Sequence, residues 1–132
     1  LQARVPSAKA LGRAFLQGHR LAFHKKGIGG SAKCDAFLTE NLDDRLPGVI
    51  FQIDPDELFR LDRAEGPGYE RVLLAVELAN ETALEAWTYR ARPEAVQSGL
   101  LPSAEYHDYV FQGAIEHELP EWHIQAIREV LR

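Results

Sequence analysis

The chain has 132 residues, 45% of them apolar, and a formal net charge of -5. That length suits a single domain spanning residues 1–132 with one core, and no apolar run nears the roughly 20 residues that cross a bilayer. The acidic balance argues against general affinity for nucleic acid. The lone cysteine, Cys34, leaves no internal disulfide and no thiolate metal cluster and fits a reducing, cytoplasmic setting with no membrane partner.

The first third is basic: Arg4, Lys9, Arg13, Arg20, Lys25, Lys26 and Lys33 all precede the first acid, Asp35. They are dispersed and not interleaved with stacking aromatics, so they read as solvent faces of strands paired with the acidic remainder. The rival reading is a nucleic-acid-associated surface, which would show as salt-dependent binding. No apolar block succeeds the first residues, so no signal peptide is expected. The sequence contains no methionine, and a segment preceding Leu1 is therefore expected.

Residues 13–25, RAFLQGHRLAFHK, alternate polar and apolar on both sides of Gly18. This predicts a strand with a bend or hairpin at Gln17 and Gly18. Gly27, Gly29 and Gly30 make a loop without the Lys-Ser ending of a phosphate-binding loop. Residues 31–39 place Ala32, Cys34, Ala36 and Leu38 in one phase, a further strand. A polar turn at 41–45 leads to the apolar run PGVIFQI at 47–53, a buried strand.

A short helix comes next. Asp54 can cap it, Pro55 suits its first position, and Glu57 stands three residues after the cap. Leu58 and Leu61 share one face, and Gly66 stands where a left-handed residue would end the helix. Glu65 then sits in the last turn, beside unpaired carbonyls that disfavour a carboxylate. That repulsion, with any burial, would raise its pKa toward the range of a general base. Exposed glutamates far outnumber catalytic ones, so the local pattern alone favours a solvated residue at a frayed end.

After the turn, Tyr69–Leu78 reads as a strand with Val72, Leu74, Val76 and Leu78 on one face. Residues 84–91 are its hairpin partner, with Trp87 and Tyr89 in phase. Beyond Arg92 and Pro93 the period becomes helical. Ser103 caps a helix running to about His117, with Tyr106, Tyr109, Val110, Gly113 and Ala114 inward. Leu119 and Pro120 interrupt, and a last helix carries Ile124, Ile127, Val130 and Leu131. Strands first and helices late predict an α+β fold, a small, curved, mostly antiparallel sheet or barrel with flanking helices.

Few side-chain patterns bear chemistry. His19 and His24, or His117 and His123, lack the spacing of a helical zinc pair, so no metal is expected. Ser31 and Ser103 lack a nucleophile-elbow setting. Cys34 falls on an apolar phase and reads as a small core residue. Asp43 and Asp44 lie in a turn and read as solvated. Tyr106, on an inner helix face, reads first as core with its hydroxyl finding one partner.

The residues LDRAEGPGY, preceded by PGVIFQIDPDEL and succeeded by AWTYRA, resemble the γ-glutamylcyclotransferase-like (AIG2-like) family. The tail PSAEYHDYVFQGAIEHELPEWHI is similar to that family's P-S-x-x-Y…GA…LP segment. The resemblance implies a small β-barrel with flanking helices. It implies an enzyme acting on γ-glutamyl amides, in which the substrate's α-amine attacks its own γ-carbonyl and releases 5-oxoproline and an amine or amino acid. It assigns Glu65 the role of general acid and base, and places Tyr69 and Tyr106 as substrate-binding residues. It implies no cofactor and no metal, a small-molecule γ-glutamyl substrate as partner, and room for a homodimer. The sequence departs from the family at its start. A Y-G-S-N loop, which would clamp the substrate carboxylate and polarise the carbonyl, is missing, and LQARVP resembles the stretch just C-terminal to that loop. A non-catalytic binding or assembly protein on the same scaffold is the alternative.

Overall fold

The computed structural model describes residues 5–130; Arg4, Leu131 and most of LQARVP lie outside them. Strands β1 (Lys9–Gln17) and β2 (His19–Lys26) meet at Gly18, whose φ of 76° favours glycine. Of the expected bend or hairpin at Gln17 and Gly18, the structure forms the bend, a sharp corner at Gly18 between two strands that do not pair. The Gly18 amide donates to the Asp44 carbonyl at 2.7 Å, and its carbonyl accepts from the Thr39 amide at 2.8 Å.

Strand β3 (Ala32–Leu38) pairs antiparallel with β2, with Phe23 opposite Cys34. Strand β4 (Arg45–Gln52) pairs antiparallel with β1, with Phe15 opposite Pro47. Pro47 lacks an N–H and is tolerated because β4 is a sheet edge. A one-turn 3-10 segment, Pro55–Glu57, leads into α1 (Leu58–Glu65). Strands β5 (Tyr69–Leu78) and β6 (Ala83–Ala91) form the predicted hairpin. A second 3-10 turn, Pro93–Ala95, then precedes α2 (Ala104–Glu116) and α3 (Glu121–Arg128).

One sheet runs in the order β4, β1, β5, β6, and β2 with β3 forms a separate ribbon. All strand pairs are antiparallel. The ribbon packs against both sheet edges, β3 on β6 and β2 on β4, so the curl is closed by packing where hydrogen bonds stop. Bulges at Leu11 in β1 and His24 in β2 bend the strands into this curl. The architecture is the expected α+β fold, a curved antiparallel sheet with flanking helices.

Period-2 alternation fills the inside. Ala14, Leu16 and Val76 are buried, with Leu46, Ile50, Leu74, Leu78, Leu84 and Ala86 packed around them. Leu73 and Trp87, cross-strand partners on the other face, are half exposed. A second cluster joins the helices: Ala114, Ile124 and Ile127, with Leu21 of β2, Val110, Phe111 and Leu119.

Two local expectations need correction. Tyr109 is 72% exposed, and the inward stripe of α2 instead includes His107, 5% exposed, with Nε2 2.7 Å from the Ile127 carbonyl. A histidine that donates to a carbonyl can be buried without a charge. The capping box at Asp54 also does not form. Its side chain accepts from the Asp56 amide at 2.9 Å, but its own amide donates to Ser7 Oγ at 2.9 Å. Glu57 turns to the Ser7 amide at 3.4 Å, so a distant serine takes the place a local glutamate would have filled.

Candidate functional site

Helix α1 ends where the sequence predicts. The Gly66 amide closes on the Asp62 carbonyl at 3.1 Å, and Gly66 holds φ 83° and ψ -179°, a conformation nearly confined to glycine. Glu65 is thereby the last helical residue. It is half-buried and borders two cavities. The larger, about 830 Å³, is an apolar hollow of the curled sheet lined in part by Leu58, Leu61, Ile50 and Trp87. The smaller, about 370 Å³, is lined by Glu65, Tyr69, Tyr89, Tyr106, Asp35 and His123 among others. The structure thus brings Glu65, Tyr69 and Tyr106 to one cavity.

The two tyrosines are held by Cys34. The Tyr69 hydroxyl donates to the Cys34 carbonyl at 2.6 Å, and the Tyr106 hydroxyl oxygen accepts from the Cys34 amide at 3.1 Å. Ser103, the predicted cap of α2, accepts from the Tyr106 amide at 3.1 Å and sets that tyrosine in the first turn. Opposite each other on the ribbon, Lys25 and Lys33 lay their ammonium groups over the two rings, at 4.8 Å from Tyr69 and 4.0 Å from Tyr106. These basic residues cover site aromatics as well as meeting solvent.

Burial, then the nearby Glu65 carboxylate, push the Tyr69 hydroxyl well above its ordinary range. Tyr106 is pushed up mainly by burial. Tyr89 is raised by burial and by its 2.5 Å hydrogen bond to Asp62 Oδ1. All three are neutral donors across the range in which proteins work. The Cys34 thiol is pushed up to about 11 by burial, against the opposing Tyr106 hydrogen bond. It is a protonated, half-buried side chain and not a thiolate nucleophile. Burial holds His123 below its ordinary value.

Asp35 was not singled out by the sequence. It is buried, with Oδ1 accepting from the Ala91 amide at 2.7 Å and Oδ2 2.6 Å from His24 Nε2. The available signal was an acid placed mid-strand between Cys34 and Ala36. Its partner could not be read, because the bulge that frees His24 appears only in the strand register. Asp43 is exposed and Asp44 half-buried, as a turn requires. No group of three or more metal-ligating side chains occurs among the described residues, and no helix there is long and apolar enough to cross a membrane.

A γ-glutamyl cyclotransferase of known structure superposes with a TM-score of 0.86 at 22% identity, over 98% of this chain and 79% of its own. An uncharacterized protein from Homo sapiens superposes at 0.83 and 23%, with the same coverage. YkqA from Bacillus subtilis matches at 0.74 and 17%, over 94% of this chain and 46% of its own. At such identities the likeness is one of fold. No curated protein matches the sequence. The model of the AIG2-like family matches residues 45–127, a span that carries α1 with Glu65, the turn to Tyr69, the β5–β6 hairpin and Tyr106. With well over half of its length inside that match, the chain belongs to the AIG2-like family.

Proposed function

We propose that this protein is a γ-glutamylcyclotransferase-type enzyme with Glu65 as general acid and base. Glu65 accepts a proton from the α-ammonium of a γ-glutamyl amide. The freed α-amine attacks the γ-carbonyl carbon and forms the new C–N bond of a five-membered lactam. The attacking nitrogen gives up a second proton as the bond to the leaving nitrogen breaks, and the leaving nitrogen takes up both protons, passed through Glu65, and departs as an ammonium. The products are 5-oxoproline and an amine or amino acid. No water, oxidant or metal enters this balance. The reaction is intramolecular, so most of the remaining work is holding the chain curled.

One observation carries the reading: Glu65 stands at the carbonyl end of α1, where a carboxylate accepts a proton readily, on a cavity shared with Tyr69 and Tyr106. The two tyrosines, neutral and pinned by Cys34, would form rigid walls for the folded substrate. The fold likeness to a γ-glutamyl cyclotransferase supports the same choice. The partner is then a small molecule, with no nucleic acid or membrane required, and the site the cytoplasm.

The test is 5-oxoproline release from a panel of γ-glutamyl amino acids and γ-glutamylamines. It uses protein that includes any residues encoded upstream of Leu1, because the resemblance assigns carboxylate clamping to a Y-G-S-N loop. Glu65→Gln is expected to keep the circular dichroism spectrum and lower turnover by about 10²–10⁴-fold; release at the wild-type rate would end this role. A second reading, ligand binding without turnover, is favoured by the commitment of both tyrosine hydroxyls to Cys34. Binding of panel members with no 5-oxoproline formed would select it.

A further inference from the structure

The cavity of about 370 Å³ that Glu65 borders is large enough to hold a small ligand. Much of its lining is apolar, with Leu21, Val110, Ala114, Leu119 and Ile127 contributed from around the helix cluster. Most of its polar side chains are already engaged. The Tyr69 hydroxyl donates to the Cys34 carbonyl, the Tyr106 hydroxyl pairs with Cys34, and the Tyr89 hydroxyl donates to Asp62. Asp35 is held by the Ala91 amide and by His24.

His123 lines the same cavity and differs from them. It is 6% exposed and sits in the first turn of α3, its amide closing on the Pro120 carbonyl at 3.0 Å. Its ring stands edge-on to Trp122, with centroids 5.7 Å apart. Neither ring nitrogen has a hydrogen-bond partner among the described residues, yet neither is sealed off as Nε2 of His19 is. We propose that His123 is a second catalytic residue of this cavity, whose ring N–H donates a hydrogen bond to the γ-carbonyl oxygen of the substrate. The proposal rests on the cyclisation reading and deepens it.

The chemistry calls for such a group. As the α-amine adds to the γ-carbonyl carbon, the π pair moves onto oxygen, and a donor aimed at that oxygen lowers the barrier. Glu65 is a carboxylate that handles protons on nitrogen and would repel the new negative charge. The three tyrosine hydroxyls are occupied. A neutral imidazole carries one N–H whichever ring nitrogen holds the proton. Burial keeps His123 in that neutral form, and the positive end of α3 also disfavours an imidazolium. The imidazole donates without transferring its proton, so the balance of atoms and protons in the cyclisation is unchanged. A histidine kept only to fill the helix cluster would need no open nitrogen; a phenylalanine would serve.

His123→Phe keeps a ring, and His123→Gln keeps an N–H donor. With 5-oxoproline release as the assay, His123→Phe is expected to lower kcat by about 10²–10³-fold, with KM changed only a few-fold. His123→Gln should recover about 10-fold of that loss, and circular dichroism should match wild type for both. An unchanged kcat in His123→Phe, or equal losses in the two variants, overturns the proposal. A second measurement reads the contact without turnover and stands even if His123→Phe does not fold. Histidine ring nitrogens are labelled with ¹⁵N in the Glu65→Gln protein, and γ-glutamylalanine and γ-glutamyl ethylamide are each added to saturation. The His123 resonance, assigned by its loss in His123→Gln, should move on binding. Binding that leaves it unmoved strikes this proposal alone, and absent binding of both compounds strikes the cyclisation reading with it. A moved resonance in a protein whose Glu65 form releases no 5-oxoproline strikes the cyclisation reading and keeps His123 only as a ligand contact.

Discussion

Cys34 and Asp35, adjacent on β3, tie the ribbon to the rest of the molecule through unlike atoms. Cys34 uses its backbone, donating to Tyr106 and accepting from Tyr69. Asp35 uses its side chain, which takes the Ala91 amide at 2.7 Å and meets His24 at 2.6 Å. The Asp35 bond supplies an inter-strand link where β3 and β6 pack without a ladder. Asp35→Ala strands the Ala91 amide and the His24 ring, and removing one partner of such a buried pair costs about 3 kcal/mol. Urea denaturation should show that loss, with Asp35→Asn, which can still accept from Ala91, losing less. An Asp35→Ala protein as stable as wild type would mean that water takes over the carboxylate's partners. At this scale the sequence was half legible. The place of Glu65 at a helix end could be read because a helix stop, a glycine and a charge lie within a few residues of one another, whereas Asp35 is defined by Ala91 and His24, whose proximity depends on register.

Helix α1 is short, and its boundaries determine where Glu65 points. Gly66 holds φ 83° and ψ -179° with nothing within 4 Å of an added Cβ. Gly66→Ala would therefore meet no clash, and its cost is backbone strain of about 1–3 kcal/mol. Gly113, inside α2, also has open space around its Cβ and carries no positive φ. Gly113→Ala should stabilise by about 0.4–1 kcal/mol, because the unfolded chain loses freedom that the helix never uses. Thermal melts of the two variants should move in opposite directions; a common direction would show that side-chain space, and not φ, governs these sites. The elements themselves were readable from period and punctuation. The miss at Tyr109 is instructive. A hydropathy stripe draws an aromatic inward, but α3 offers the Ile127 carbonyl to His107 and leaves Tyr109 to solvent.

At the scale of the whole molecule, the described residues form two hydrophobic clusters, one inside the curled sheet and one between α2 and α3, with Leu21 of β2 reaching the second. Helix α3 of the second cluster carries His123, buried beside the exposed Trp122 and held below its ordinary pKa by desolvation. The unfolded chain binds a proton near the ordinary histidine value and the folded chain resists it, so the unfolded state carries more protons as the solution is acidified. Stability is then full above about pH 6.5 and falls as pH drops through that value. His123→Phe, which keeps a ring in place, should lose less melting temperature than wild type between about pH 7.5 and about pH 5.5. Equal losses in the two proteins would assign the acid sensitivity to other groups.

The amino-acid order by itself determined what depends on near neighbours. Strands at 13–25, 31–39 and 47–53, the hairpin after Tyr69, the caps at Asp54 and Ser103, and the stop at Gly66 all arise from side-chain periods and backbone preferences acting within a few residues. Only tertiary structure decided which distant groups meet. The closure of the curl by the β2–β3 ribbon, the Asp35 link and the clamp of Cys34 between Tyr69 and Tyr106 are such meetings. The physical reason is that pairing register, bulges and packing are global compromises. A shift of one residue in β2 or β3 would turn Cys34 and Asp35 to opposite faces and dissolve the site while leaving every local pattern intact.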